Sequence, residues 1–364
     1  MRVIDIKKVA VLGGGAVALA TSAELISAGF TVNMFELPEF RENIKSLMNE
    51  KRIEFSGVIG NGFTDLNLVT TEAEKALYDV GLIILAVPAF GHQAFVEACV
   101  PYLQNEQIFL IETAYFGCLR FAKAIESSGK KVIMAEMNHS PYTCTKVSPN
   151  HICIDAKREE VYIAALPAVV NVTKLLEPLK SIYPKMKPAA NVLQTSLDNV
   201  NWIAHPTITL FHMGLIERTA EYILPLKDSL SHSVIRLMEA FEKERLALGK
   251  AFGLNLLPIK HTFELGGETL EEALRMSSEF ETFKYEYKDG SNQYLIEDLY
   301  YALPPLASFS RQVGVPVNSI DAVLKIFSVI NNVDYMAEGV NVDKMGLTGL
   351  SIEDILKLVE KGYY

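Results

Sequence analysis

Residues 8–36 limit what this chain can fold into more than any other stretch. Lys8–Leu12 (KVAVL) is a short, valine-rich apolar run of the kind a buried parallel strand uses. Gly13-Gly14-Gly15-Ala16-Val17-Ala18 follows, then a helical pattern of small residues as far as Ala28, closed by Gly29. Residues 31–36 (TVNMFE) read as a second strand that ends on a carboxylate. A G-x-G-x-x-A turn alone is often only a glycine turn. Between two strands, opening a helix and followed by an acid, it is the dinucleotide-binding fingerprint. Gly13 permits the tight turn, Gly15 lets backbone approach a pyrophosphate, and Ala18 keeps the helix close to the sheet. The N–H groups of Ala16 and Val17, at the positive end of the helix, then face phosphate, and Gly14 belongs to the same cofactor-binding turn. Glu36 can accept both ribose hydroxyls and repel a 2′-phosphate, which favours NAD(H); its bland reading is a solvated strand-end charge. Arg41 leaves NADP(H) open.

Strands and helices keep alternating. Residues 81–88, 107–111 and 131–135 read as strands, and 89–103 and 117–128 as helices. Strands joined by helices predict a right-handed, mostly parallel sheet that binds ligands at the carboxyl ends of its strands. Val87, Pro88, Thr113 and Glu136 fall at those ends. Strand-like pieces at 152–156 and 162–166 and a helix over 169–182 complete this part, with a hairpin or loop insertion at 52–63. From about residue 189 the apolar period becomes helical, over 203–224, 233–252, 269–277, 316–331 and 351–361. The expected fold is an α/β, Rossmann-type doubly wound parallel sheet at 1–186, followed by a mostly α-helical domain at 187–364.

At 364 residues there is enough chain for two cores, and 49% hydrophobic against 21% charged residues is the balance of a soluble globular protein. A net charge of −10 disfavours non-specific binding to nucleic acid or an anionic membrane. The four cysteines lack CxxC spacing, and the N-terminus runs straight into a strand. A reduced, cytoplasmic protein with no membrane span is therefore expected, and a homodimer is compatible with it.

Two polar groups interrupt the helical half. Asn199, Asn201 and His205 form the first, with Asn201 and His205 four apart on one helical face. The second is 293–298 (QYLIED), where Asp298 precedes an apolar segment containing Pro304-Pro305. If Asp298 meets His205, the carboxylate orients the imidazole and stabilises its protonated form, which makes a proton shuttle. The bland readings are a hydrogen-bonded structural histidine and a capping or surface aspartate. The other histidines have no paired-ligand spacing, so no metal is expected. Cys144 reads first as a small buried hydrophobe, although it follows a strand near the expected substrate.

These residues resemble the NAD-linked opine dehydrogenases (octopine/nopaline dehydrogenase type, including N-(1-D-carboxyethyl)-L-norvaline dehydrogenase), over nearly the whole chain. GGGAVALA is similar to the family's cofactor turn, and Glu136 with Pro141-Tyr142-Thr143-Cys144 to its E…PYxC stretch. Thr195-Ser196-Leu197…Asn199…Asn201…His205-Pro206 resembles its TSL-N-N-HP signature. Tyr294…Glu297-Asp298…Pro304-Pro305-Leu306…Gly314-Val315-Pro316 resembles its Y–ED–P–GVP signature. The resemblance implies a catalytic pair at His205 and Asp298, and a reductive condensation of a 2-oxo acid such as pyruvate with an amino acid. It implies substrate contacts from Asn201, Glu136, Thr143 and Cys144. Thr145 and Leu299-Tyr300 depart from the family's usual Arg and Val-Pro, which leaves the amine partner open. Two other readings remain: a 2-oxo acid/hydroxy acid reductase of ketopantoate reductase or glycerol-3-phosphate dehydrogenase type, whose central lysine has no matching signature here, and a non-catalytic NAD-binding sensor.

Overall fold

The computed structural model describes residues 6–158, 160–219, 221–262, 266–277, 284–288 and 292–362. The chain divides into two compact units, Met1–Ser196 with Lys357–Tyr364, and Leu197–Leu356. This division differs from one at 186/187 at both ends. Lys185–Pro188 is still a strand of the first unit, and the Ala168 N–H of that unit donates to the Val359 carbonyl near the C-terminus (2.9 Å).

The first unit is built on strands β1 (Lys8–Leu12), β2 (Thr31–Phe35), β3 (Arg52–Gly57), β4 (Gly62–Asp65), β5 (Leu68–Thr70), β6 (Leu82–Leu85) and β7 (Ile108–Ile111). They are followed by β8 (Ile133–Met137), β9 (Tyr142–Ser148), β10 (His151–Lys157), β11 (Glu160–Leu166) and β12 (Lys185–Pro188). Eight of them form one sheet in the order β12-β11-β8-β7-β6-β1-β2-β5. Every neighbouring pair is parallel except β11 with β8. Strands β6 and β7 are buried at every residue, as continuous apolar runs in a sheet covered on both faces should be.

The remaining four strands form a second sheet, β4-β3-β10-β9. Residues 52–63 do form a hairpin, β3 with β4, but 152–156 belongs to this smaller sheet and not to the large one. Strand β9 has no counterpart in the sequence reading, because TCTKVS alternates polar residues with only modest apolar ones. The helix Ala16–Ser27 is buried continuously from Ala18 to Leu25 and packs against strands of both sheets.

Two helices are shorter than expected. The 89–103 segment is helical only over His92–Cys99, then tightens around Pro101 into a 3₁₀ turn. The 169–182 segment is the short helix Val172–Leu175 followed by a 3₁₀ turn holding Pro178. Proline removes an N–H and biases the preceding residue away from helix in both cases.

In the second unit, helices span Asn201–Ile216, His232–Ala251, Leu270–Met276, Gln293–Tyr301, Leu303–Val313 and Asn318–Asn331. The expected helix over 203–224 stops at Ile216, and β13 (Glu221–Pro225) pairs antiparallel with β14 (Lys284–Lys288). That ribbon is formed by partners far apart in the chain, which a local apolar period does not reveal. Among the described residues no helix is long and apolar enough to cross a membrane.

The buried Ala16–Ser27 helix carries polar side chains that find partners inside the first unit. Thr21 Oγ1 lies 2.8 Å from each carboxyl oxygen of Glu112, at the end of β7. Glu24 accepts from the Tyr142 hydroxyl and from Lys157 Nζ, both at 2.7 Å. Burial, helped by the charge of Glu24, pushes the Glu112 carboxyl up to about 8, against the hydrogen bond from Thr21. The folded protein therefore holds a proton here that the unfolded chain releases above its ordinary value of 4.5. The resulting stabilisation is complete below that value and is lost as pH rises toward about 8. Measured by urea unfolding across this range, the midpoint of the wild-type protein should fall relative to that of Glu112→Gln as pH rises, leaving Glu112→Gln the more stable protein at the alkaline end.

Candidate active site

The parallel order β7-β6-β1-β2 brings the turns after these strands to one edge of the sheet. Gly13 has φ +113°, and a Cβ there would lie 2.5 Å from Val87 Cγ1. A Cβ on Gly14 would lie 2.4 Å from Ile44 Cγ2 and 3.1 Å from Glu36 Oε2. The first two glycines are thus required by the chain's own packing. A Cβ on Gly15 meets nothing within 4 Å, so the open side of the turn is at the third. Gly15 is also the N-cap of the Ala16–Ser27 helix, has no side-chain capping bond, and is followed by no acid in the first turn. The leading N–H groups, including those of Ala16 and Val17, are left to an anion, and the residues present fit a dinucleotide diphosphate.

Glu36 follows β2 directly and is buried. Its Oε2 accepts from the Gly14 N–H (3.0 Å), its Oε1 from the Leu37 N–H (2.9 Å), and Asn43 Nδ2 lies 3.4 Å from Oε2. It is therefore not a solvated strand-end charge. Burial pushes its carboxyl up, and the three donors together with the nearby Lys146 ammonium pull it back. Val87 and Pro88 are half-buried after β6, and Thr113 is half-buried after β7. His92 has no ligand spacing in the sequence to mark it. It is fully buried, and its Nε2 lies 3.0 Å from the Val87 carbonyl. Burial and the charge of Arg120 push it down to about 3, so it is a neutral donor that ties the Val87-Pro88 turn to the helix behind it. Lys146, which no motif marks, reaches the Gly14 carbonyl with its Nζ (2.8 Å) from β9.

The substrate residues expected in this unit sit differently. Glu136 lies inside β8 and is fully buried, because the strand runs two residues beyond the expected 131–135. Its Oε1 accepts from Thr195 Oγ1 (2.6 Å) and Ser196 Oγ (2.9 Å), and its Oε2 from the Cys118 N–H (2.8 Å). These bonds make it a brace for the Thr195-Ser196 segment and not a receiver for a substrate cation. Ser196 Oγ also accepts from the N–H of Phe116, which has φ 56° and follows Tyr115 at φ 76°. Thr143 and Cys144 are residues of β9, paired with Ala156 and Ile154. Cys144 packs against the apolar core, and burial pushes its thiol up to about 12, the behaviour of a small hydrophobe.

In the second unit His205 and Asp298 meet. His205 Nδ1 lies 2.8 Å from Asp298 Oδ2, with the imidazole side chain 12% exposed and the carboxylate 0%. His205 stands in the second turn of the Asn201–Ile216 helix. Pro206, next in the chain, removes one N–H there, while the Thr207 hydroxyl donates to the Ile203 carbonyl (2.6 Å). Asp298 comes from the Gln293–Tyr301 helix, which is capped by the Asn292 side chain. The rings of Tyr285 and Tyr294 flank the imidazole, with centroids 5.4 and 5.3 Å away.

Asn201 is partly exposed one turn before His205, on the same helical face. Asn199 is fully buried; its Oδ1 lies 3.4 Å from the Asn201 N–H, and its Nδ2 has no partner among the described residues. The chain leading into this helix is fixed by the buried Arg245, which donates to Asp198 Oδ1 (2.9 Å) and to the Leu197 carbonyl (3.2 Å).

An Asp-bound Nδ1–H leaves Nε2 as the atom that gains or loses a proton. Asp298→Asn should keep the fold while favouring the wrong tautomer. The ring ¹⁵N shifts of His205 should then report the other tautomer, with little change in melting temperature.

Comparison with known proteins agrees with this layout. Residues 188–331 match the family model for the α-helical domain of NAD/NADP octopine/nopaline dehydrogenase. The opine dehydrogenase of Arthrobacter sp. (strain 1C) is 30% identical over 365 residues, covering 98% of this chain and 100% of the relative. An octopine dehydrogenase solved with NADH and L-arginine superposes with a TM-score of 0.78 at 18% identity, over 98% of this chain and 99% of that one. Yersinopine dehydrogenase with NADP+ gives 0.73 at 14% identity, over 97% of each chain. A ketopantoate reductase from Ralstonia eutropha JMP134 is more distant, at 0.60 and 16% identity over 89% of this chain and 98% of that one. The full-length likeness to a curated opine dehydrogenase, with the matching helical-domain model, shows that this chain belongs to the opine dehydrogenase family, oxidoreductases acting on CH–NH donors.

Proposed function

We propose that this enzyme uses NADH to join a 2-oxo acid, such as pyruvate, to the α-amino group of an amino acid, giving a secondary amine dicarboxylate. The observation that carries this reading is the partly buried hydrogen bond between His205 and Asp298, on the two residues that match the family's paired signatures. NADH is favoured over NADPH by the Glu36 carboxylate, which stands against the glycine turn where a 2′-phosphate would be repelled. The N–H groups of Gly15, Ala16 and Val17 would hold the diphosphate, while Gly13 and Gly14, whose N–H groups are taken by the Phe35 carbonyl and Glu36, would shape the turn; Val87, Pro88 and Thr113 would border the nicotinamide end. The bound cofactor supplies the hydride.

The chain's own part is proton transfer and position. Addition of the amine to the oxo carbon gives a carbinolamine, which must lose water before it can be reduced. Protonated His205 donates from Nε2 to the departing hydroxyl, which leaves as water, and the N-protonated imine forms as the C–O bond breaks. In the reverse direction neutral His205 takes a proton from the secondary amine, or from the water that attacks the imine. Asp298 keeps Nδ1 protonated and stabilises the imidazolium in both directions. Asn201, one helical turn away, holds a substrate carboxylate.

A matrix of oxo acids crossed with amino acids, followed by NADH absorbance and mass detection, tests the reading. NADH should be consumed only when both partners are present, with a product whose mass is the sum of the two less one oxygen. Consumption with an oxo acid alone, giving a hydroxy acid, would replace it with a simple reductase.

A further inference from the structure

Lys146 belongs to the four-stranded sheet, yet its ammonium is committed to the glycine turn of the eight-stranded one. Nζ donates to the carbonyls of Gly14 (2.8 Å) and Asn43 (3.1 Å). Glu36 holds the same glycine by its other end, taking the Gly14 N–H at 3.0 Å. One residue of the turn is thus gripped at its N–H by a carboxylate and at its C=O by an ammonium. Hydrogen bonds to charged groups are stronger than neutral ones, so this grip is firm.

We propose that Lys146 is a cofactor-positioning residue: by holding the Gly14 carbonyl it sets the plane of the Gly14–Gly15 peptide and aims the Gly15 N–H at the dinucleotide's diphosphate. A trans peptide is planar, with its C=O and N–H on opposite sides. A carbonyl drawn toward Lys146 therefore turns the following N–H away from it, on the residue where an added Cβ would meet nothing within 4 Å. The second bond, to Asn43, ties down the Pro38–Ile44 turn, and Ile44 packs directly on Gly14. A single cation from β9 thereby fixes both the glycine turn and the segment after β2. This inference rests on the nicotinamide dinucleotide reading given above.

Lys146→Met keeps the length and the apolar stem of the side chain and removes its donors. NADH and ADP-ribose share the diphosphate, so binding of both to the cofactor-free protein should weaken by the same factor, at least about tenfold. NADH fluorescence and calorimetry with ADP-ribose measure the two. The KM for NADH should rise while kcat at saturating NADH holds, and Lys146→Arg should recover most of the affinity. Wild-type affinity in a folded Lys146→Met protein would overturn the proposal. So would a loss confined to NADH, or a loss that Lys146→Arg leaves uncorrected. If Lys146→Met does not fold, Lys146→Gln serves in the same titrations, with the same results for and against. Failure of the wild-type protein to bind NADH or NADPH would instead overturn the dinucleotide reading itself.

Discussion

The 2.8 Å hydrogen bond between His205 Nδ1 and Asp298 Oδ2 joins residues 93 positions apart, and much of the second unit is arranged to hold it. The carboxylate is fully buried and stands on a helix capped by Asn292, so it has little freedom to turn elsewhere. The imidazole is flanked by two tyrosine rings and carried by a helix whose approach is fixed by buried Arg245 and Asp198. Burying such charged groups is costly unless each is paired, and here each has a partner. What remains accessible is an imidazole edge with a preset tautomer, which suits proton transfer better than structure alone.

The first unit solves another problem, that of holding a bare backbone turn open toward an anion. Gly13 and Gly14 are packed so tightly that a methyl group at either would collide with Val87 or Ile44. Only the third glycine is left with space around it, and the uncapped helix start follows at once. The turn is steadied from three sides, by Glu36, by Lys146, and by the Val87-Pro88 segment that His92 holds in place. Rigidity is useful here because an anion site made of N–H groups works only if they are already aimed.

Most of this frame could be read from the sequence, for local reasons. The glycine turn, its flanking strands and the acid after β2 are contiguous, so their spacing carries the geometry. The His205–Asp298 pair was suggested by the unusual setting of each residue and by resemblance, since spacing cannot bring together positions in different helices. The β9 strand and the β13–β14 ribbon were not legible, because their pairing depends on distant partners. Glu136 is a related case: its place near a strand end suggests a ligand, but the Thr195 and Ser196 hydroxyls that saturate it come from far along the chain. Lys146 had no signal at all, as a lysine in a polar strand looks like a solvated one.

The proposed reaction needs His205 to move the proton. The most direct measurement is steady-state kinetics of His205→Ala with the most active oxo acid and amino acid pair, alongside its dissociation constant for NADH. A fall in kcat of about 10²–10⁴-fold with unaltered NADH affinity is the predicted result. Retained turnover, or a loss of NADH binding equal to the loss of rate, would contradict it.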